Sequence, residues 1–289
     1  MDRIGLLDLP RITIVMPSLN QSKFIEEAIL SILEQNYPRL EFMILDGGST
    51  DGSQEIIKRY SDHLAFWQSR GDAGQTDALI QGFSHATGEL MGWLNSDDIL
   101  LPGALNHIAR AYISHPEGNI FGGNTLVIDE LGDVLRCRRP PSETSRLAKY
   151  GWSVVPPASF FTHKVYENVG GLHRDLHYIM DADLFLRMIH NNARFQEVNA
   201  WISGFRLQSL SKTVTKGSNF EKEFESIRER YLPWIKLTPK KGRGLYIWIQ
   251  LFNGNYVKMF METCSARGMN WKKWCEKNQV IQITPYEDY

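Results

Sequence analysis

Short apolar runs and amphipathic stretches alternate along the first hundred residues. Residues 12–16 are a β-branched run closed by Pro17, which predicts a first strand with Pro17-Ser18-Leu19-Asn20 as the loop at its C-terminal end. Phe24, Ala28, Ile29, Ile32 and Leu33 recur at helical spacing, with Asn20 as the expected N-cap. A second strand is expected over 42–45. It runs into Asp46-Gly47-Gly48-Ser49-Thr50-Asp51-Gly52, whose glycines admit positive φ and close approach of a ligand to the backbone. Asp51 with Gln54 reads as a capping pair for a helix through Tyr60. A third strand over 64–68, a polar loop over 69–74 and a helix over 75–87 capped by Gly88 follow. Residues 89–98 then form an apolar run of strand length that stops on Asp97 and Asp98. This rhythm predicts an α/β fold with a mostly parallel sheet flanked by helices and right-handed crossovers. Open sheets of this kind bind ligands beyond the carboxyl ends of their strands, so Ser18, Asp46, Asp97 and Asp98 are expected to converge.

After Pro102 the pattern changes. A helix is expected over 102–114, then two strands within 121–137 around the turn Glu130-Leu131-Gly132-Asp133. Pro140-Pro141 and Pro156-Pro157 frame a connector, and a strand over 158–162 leads to a short helix ending at Val169 and a Gly170-Gly171 turn. A loop then reaches Met180-Asp181-Ala182-Asp183, with a helix over 184–190 and an extended segment over 195–205 behind it.

At 289 residues, with 43% hydrophobic and 22% charged residues, the chain is long enough for one large α/β domain with an appended tail. The formal net charge of −1 gives no sign of nucleic-acid binding. Cys137, Cys264 and Cys275 are too widely spaced for a zinc site and odd in number, which fits a reducing cytoplasm. No signal peptide and no spanning helix are expected. The tail is different in character. Between Lys236 and Lys277 nine Lys and Arg residues stand against two Glu, interleaved with aromatics such as Trp248, Phe252, Trp271 and Trp274. That mixture suits either a peripheral contact with an anionic membrane face or a helical tail packing its apolar side.

Taken alone, Ser96-Asp97-Asp98 has two readings: a helix cap beside a solvated acid, or carboxylates holding a divalent cation against a diphosphate. Trp93 belongs to the core, whereas Trp152, ahead of a Pro-rich loop, is a candidate for stacking on a ligand ring. Arg136, Arg138 and Arg139 form a basic cluster, either a solvated face or a contact for an anionic ligand.

The motifs then fall in one series: Ile-Val-Met-Pro-Ser-Leu-Asn (14–20), Ser31 with Gln35, Leu-Asp-Gly-Gly-Ser-Thr-Asp-Gly (45–52) and Asp-Ala-Gly-Gln-Thr-Asp-Ala (72–78). Ala-Thr-Gly-Glu (86–89), Trp-Leu-Asn-Ser-Asp-Asp (93–98), Val-Gly-Gly-Leu (169–172), Met-Asp-Ala-Asp-Leu-Phe-Leu-Arg (180–187) and Arg206 through Thr213 complete it. Across roughly residues 10–215 the chain resembles glycosyltransferase family 2, the inverting enzymes of GT-A fold that build bacterial surface polysaccharides. The resemblance implies a catalytic domain over 1–215, with a nucleotide-sugar half over about 10–100 and an acceptor half over about 101–215; beyond it, residues 216–289 are expected to form a helical extension. It assigns Pro17, Ser18, Asn20, Asp46 and Asp72 to the nucleotide, Asp97 to the ribose, Asp98 to Mn²⁺ or Mg²⁺, and Asp181 to the catalytic base. Asp183 reads as a cap or orienter. The family commonly has a histidine where this chain has Gln208, so Arg206, Gln208 and Lys212 become diphosphate candidates, with Trp152 and His177 on the acceptor side. The implied partners are a nucleotide-sugar donor, UDP-linked, and a saccharide or lipid-linked saccharide acceptor. A nucleotidyltransferase and a non-catalytic sugar-nucleotide-binding protein are the alternatives.

Overall fold

A computed structural model describes residues 9–140, 155–208, 218–231 and 255–281. The connector with Trp152, the loop with Lys212 and much of the basic, aromatic tail lie outside the described residues.

The sheet is built around β1 (Ile12–Ser18), every residue of which is buried. Such a wholly buried, mostly apolar run suits a central strand covered on both faces. β1 pairs in parallel with β2 (Leu40–Asp46) on one side and β4 (Leu90–Trp93) on the other, and β2 pairs in parallel with β3 (Phe66–Ser69). Helices α1 (Ile25–Leu33), α2 (Ser53–Arg59) and α3 (Gln75–Ser84) make the crossovers. Side chains alternate across the sheet as strand geometry demands. Ile12, Ile14, Met16, Phe42, Ile44 and Leu90 pack toward α1 and α4 (Ala104–Ser114). Val15, Met43, Leu45, Met91 and Trp93 pack toward α3 and toward α6 (Met180–His190). Trp93 is core, as expected: it is 3% exposed and stacks on Phe185.

The other half of the sheet is mixed. β8 (Ser159–Thr162) inserts between β4 and β6 (Ile120–Ile128), antiparallel to both, and β9 (Phe195–Arg206) runs parallel to β6. The predicted hairpin is β6 with β7 (Val134–Arg138), and the short β5 (Ile99–Leu100) pairs antiparallel with β9. The helix α5 (His163–Asn168) follows β8, capped by Thr162, whose hydroxyl accepts from the Val165 amide.

Three local expectations are corrected. Asn20 does not cap α1; it sits in the left-handed region (φ 51°), and Phe24 occupies the N-cap position. Asp51 and Gln54 do not form a capping pair. Asp51 accepts from Ser53 and from the Ser22 amide, Gln54 donates to Ser49 O, and Gly52 holds the N-cap position. Gly88 does not cap α3, which stops at Ser84. A Cβ on Gly88 would stand 2.5 Å from Thr13 Oγ1, so glycine is required there by packing against β1.

The C-terminal segments are helical, as expected, and both dock. α7 (Ser218–Tyr231) lays Phe220, Phe224 and Ile227 on Ile179 and Leu186. α8 (Asn255–Ala266) and α9 (Trp271–Lys277) cover the hairpin, with Trp271 and Trp274 buried beside Leu126, Ile128 and Val134. The basic cluster is divided by this packing: Arg139 is buried and makes a two-pronged bond to Glu262 of α8. All three cysteines are free.

Candidate active site

The register of β1 on β2 puts Ser18 beside Asp46 at the C-terminal edge of the sheet. Asp46 is 1% exposed and accepts from the amides of Gly48 (3.2 Å) and Ser49 (2.9 Å) and from the hydroxyls of Ser49 and Ser69. Its carboxylate shapes the Gly-rich turn, where Gly48 has φ 86°. Asn20 clamps the same turn: its amide N–H donates to Ser49 Oγ and its Oδ1 accepts from the Thr50 amide. Pro17 and Ser18 are buried, and Ser18 Oγ has no hydrogen-bond partner. A buried hydroxyl left open at a strand end is ready for a ligand. Asp72 accepts from the Gly74 amide at 2.7 Å and lies over Gly47, where a Cβ would come within 3.2 Å of its carboxylate.

Asp97 and Asp98 stand in the turn between β4 and β5, because pairing along β4 ends at Trp93. Asp98 is fully buried; Oδ1 accepts from the Arg206 amide at 2.8 Å and Oδ2 from Asn95 Nδ2 at 3.2 Å. Asp97 is half-buried, and its Oδ2 accepts from Gln208 Nε2 at 2.7 Å. Burial pushes both carboxyls above their ordinary range, and for Asp98 the neighbouring Asp97 charge adds to it. Gln208 also donates to Gln21, and Gln75 donates to Asn95, so the acid turn is tied to the loop after β1 and to the start of α3.

Arg206 is not free to meet a diphosphate. It is 2% exposed, and its guanidinium bonds Asp97 O, Asp129 O, Glu130 O and the Glu27 carboxylate. Trp271 of α9 donates to the other oxygen of Glu27 at 3.2 Å, so the tail braces the acid turn through Glu27 and Arg206. Gln208, with its amide nitrogen on Asp97, orients that carboxylate. Among the described residues no three His, Cys, Asp or Glu side chains gather as a metal cage. The available donor set is the Asp97–Asp98 pair, which fits an Mg²⁺-type ion held by one or two carboxylates and completed by substrate phosphates.

Asp181 lies in the first turn of α6, which begins four residues earlier than the expected 184–190. It is half-buried, its Oδ1 accepts from the Ala182 amide, and burial raises its carboxyl above the ordinary value. Desolvation thus outweighs the helix N-terminus, which by itself favours the ionised form. Asp183 is 1% exposed and bound by Arg187 (2.7 and 2.8 Å) and His173 (3.0 Å). Arg187 also donates to the Val169 and Gly171 carbonyls, so this ion pair fixes the Gly-Gly turn to α6. His177 is exposed, with Nδ1 3.9 Å from where a Cβ on Gly74 would stand. Thr76 donates to Leu176 O and contacts Met180 Sδ, joining α3 to the approach to Asp181.

The sequence reading missed Gln21, Gln75, Asn95, Glu27 and Glu223. It noted Ser31 and Gln35 without a role. Ser31 in the last turn of α1 and Gln35 just past its end hold Leu100 N, Leu101 O and Leu105 N just beyond the acid turn. Polar residues on an otherwise buried helix face were the available signal.

A mixed α/β sheet with a Gly-rich turn and two acid stations around its strand ends is the arrangement of a GT-A glycosyltransferase. Residues 13–170 match Glycosyl transferase family 2, and the chain belongs to that family. It is 30% identical over 221 residues to the putative glycosyltransferase EpsE of Bacillus subtilis, covering 73% of this chain and 74% of that one. Its fold is similar to that of S. aureus TarS 1-349 in complex with UDP-GlcNAc (TM-score 0.60, 16% identity), over 80% of this chain and 69% of TarS 1-349. In a second crystal structure of that fragment the match spans 60% of its length. The mannosyltransferase PcManGT from Pyrobaculum calidifontis, in complex with GDP-Man and Mn²⁺, is similar with TM-score 0.57 and 18% identity, over 96% and 82% of the two chains.

Proposed function

We propose that this glycosyltransferase is an inverting, metal-dependent enzyme. It moves a hexosyl or N-acetylhexosaminyl group from a nucleoside diphosphate sugar of the UDP class to a saccharide or lipid-linked saccharide in surface-polysaccharide or glycan assembly. The observation that carries this reading is the presence of two acid stations, Asp97–Asp98 and Asp181, tied to adjacent residues at the start of α3: Gln75 donates to Asn95 beside the first, and Thr76 donates to Leu176 O on the approach to the second.

Pro17, Ser18, Asn20, Asp46 and Asp72 line the nucleotide side, with Asp46 acting through the turn it shapes. Asp97 and Asp98 hold the cation. Solvent access favours Asp97 as the direct ligand, with Asp98 behind it. This exchanges the roles implied by the resemblance. A cation held there would neutralise charge on the departing diphosphate without proton transfer. Asp181 takes the proton from the attacking sugar hydroxyl, on the acceptor side with His177. The catalytic domain is read as 1–215 and the extension as 216–289.

No helix among the described residues is long and apolar enough to cross a membrane. Phe260 (58%) and Met261 (67%) remain exposed on α8, and Lys272 and Lys273 are exposed on α9. These support a peripheral contact with the cytoplasmic membrane face. A nucleotidyltransferase would want a basic Gly-rich loop after β1, where this chain has Pro17-Ser18-Leu19-Asn20. The test is a panel of UDP- and GDP-sugars assayed for Mn²⁺-dependent binding and slow hydrolysis. Binding of none, with or without Mn²⁺, defeats the proposal.

A further inference from the structure

The approach to α6 carries three consecutive backbone amides, His177, Tyr178 and Ile179, that the helix itself does not satisfy. Helix N-termini leave such donors open, and Ile179 at the N-cap has no side-chain oxygen to receive one. A single carboxylate takes all three. Glu223 of α7 accepts from His177 N at 3.1 and 3.2 Å, from Tyr178 N at 2.8 Å and from Ile179 N at 3.3 Å. These are charge-assisted bonds at the positive end of α6, stronger than neutral ones.

The placement of Glu223 follows from its helix. Phe220, Phe224 and Ile227 recur at i, i+4 and i+7 and pack on Ile179 and Leu186, and Phe220 meets Tyr178 edge-on. Glu223 sits inside that stripe, which points it at the same segment. On its other side the segment is held by Thr76 through Leu176 O, and by Arg174, which pairs with Asp77 at 3.2 Å. The chain leading into Asp181 is thus gripped between the donor-side helix α3 and the C-terminal extension.

We propose that Glu223 is a positioning residue for glycosyl transfer: it latches residues 177–179 so that Asp181 is held at the reacting position. Helix α7 is then part of the working site, and loss of the Glu223 contact is expected to lower turnover without touching the nucleotide. The inference rests on the assignment of Asp181 as base. Misplacing a catalytic group by about an ångström can cost roughly 10²-fold. Glu223→Gln, which keeps one acceptor oxygen, should cost less than Glu223→Ala.

Two readouts on the full-length protein decide it. The first is amide hydrogen exchange over residues 174–182. The second is nucleoside diphosphate release and donor affinity, with Mn²⁺, for UDP-glucose, UDP-galactose, UDP-N-acetylglucosamine and GDP-mannose. Faster exchange in Glu223→Gln, with turnover about tenfold or more below wild type and donor affinity within twofold, is the expected result. Unchanged exchange overturns the latch. Faster exchange with unchanged turnover, or a parallel loss of donor affinity and thermal stability, reduces Glu223 to a structural contact. Wild-type protein that turns over none of the four nucleotides counts against the transferase reading itself, while the exchange measurement still decides the latch.

Discussion

The two acid stations share a plan and differ in how they handle charge. Each has one fully buried acid associated with an arginine, Asp98 with Arg206 and Asp183 with Arg187, and one half-buried acid nearby, Asp97 and Asp181. At the second station the Arg187 guanidinium meets Asp183 directly, so the buried charge is matched and Asp181 stands alone. At the first, Asp98 receives the neutral amides of Arg206 N and Asn95 Nδ2, and the Arg206 guanidinium pairs with Glu27 instead. Two neighbouring carboxylates in low dielectric then lack a full counter-charge, which is the setting a divalent cation relieves. Similar acidic spacing thus suits a cation seat in one place and a lone base in the other.

The largest expected effect is at the lone base. Asp181→Asn keeps shape and removes basicity, so turnover should fall by about 10²–10⁴-fold with donor affinity nearly unchanged. Retained turnover would erase the contrast between the stations. Next is the matched pair: Arg187→Ala strands Asp183 in the core and should cost on the order of 3–5 kcal/mol in urea unfolding. A loss below 1 kcal/mol would mean that the pair is not what anchors α6. The pH profile gives a finer test. Burial raises the Asp181 carboxyl, so turnover should climb as pH rises through a value above the ordinary carboxylate range and stay high beyond it. Asp181→Asn should lack that limb. The smallest effect is peripheral: Lys272→Glu with Lys273→Glu should weaken binding to anionic vesicles at low salt by about 1 kcal/mol per charge. Wild-type protein that ignores such vesicles leaves α8 and α9 with packing alone.

The parallel half of the fold was legible because its strands are mostly apolar runs that end at polar or Gly-rich loops, although β1 continues through Pro17 to Ser18, two residues expected in the loop. The mixed half was not, since the insertion of β8 between β4 and β6 joins strands far apart in sequence. The acids could be read as a series of motifs, but their division of labour could not. Whether Arg206 faces a phosphate or Glu27 depends on a partner 179 residues away. Asn20 and Gly88 look like caps by residue type; one is instead a clamp on the Gly-rich turn, the other a point of close contact with Thr13. Glu223 lies in the tail, beyond the motifs, and its target is a row of backbone amides that leaves no mark on composition.

In the proposed mechanism Asp97–Asp98 binds the diphosphate through a cation while Asp181 serves the acceptor. Calorimetric titration of UDP into wild type, Asp97→Asn and Asp181→Asn, each with Mn²⁺ and with EDTA, tests it most directly. Wild type and Asp181→Asn should bind alike in Mn²⁺ and poorly in EDTA, and Asp97→Asn should bind poorly in both. Equal binding by wild type with and without Mn²⁺, or loss of binding in Asp181→Asn but not in Asp97→Asn, would contradict it.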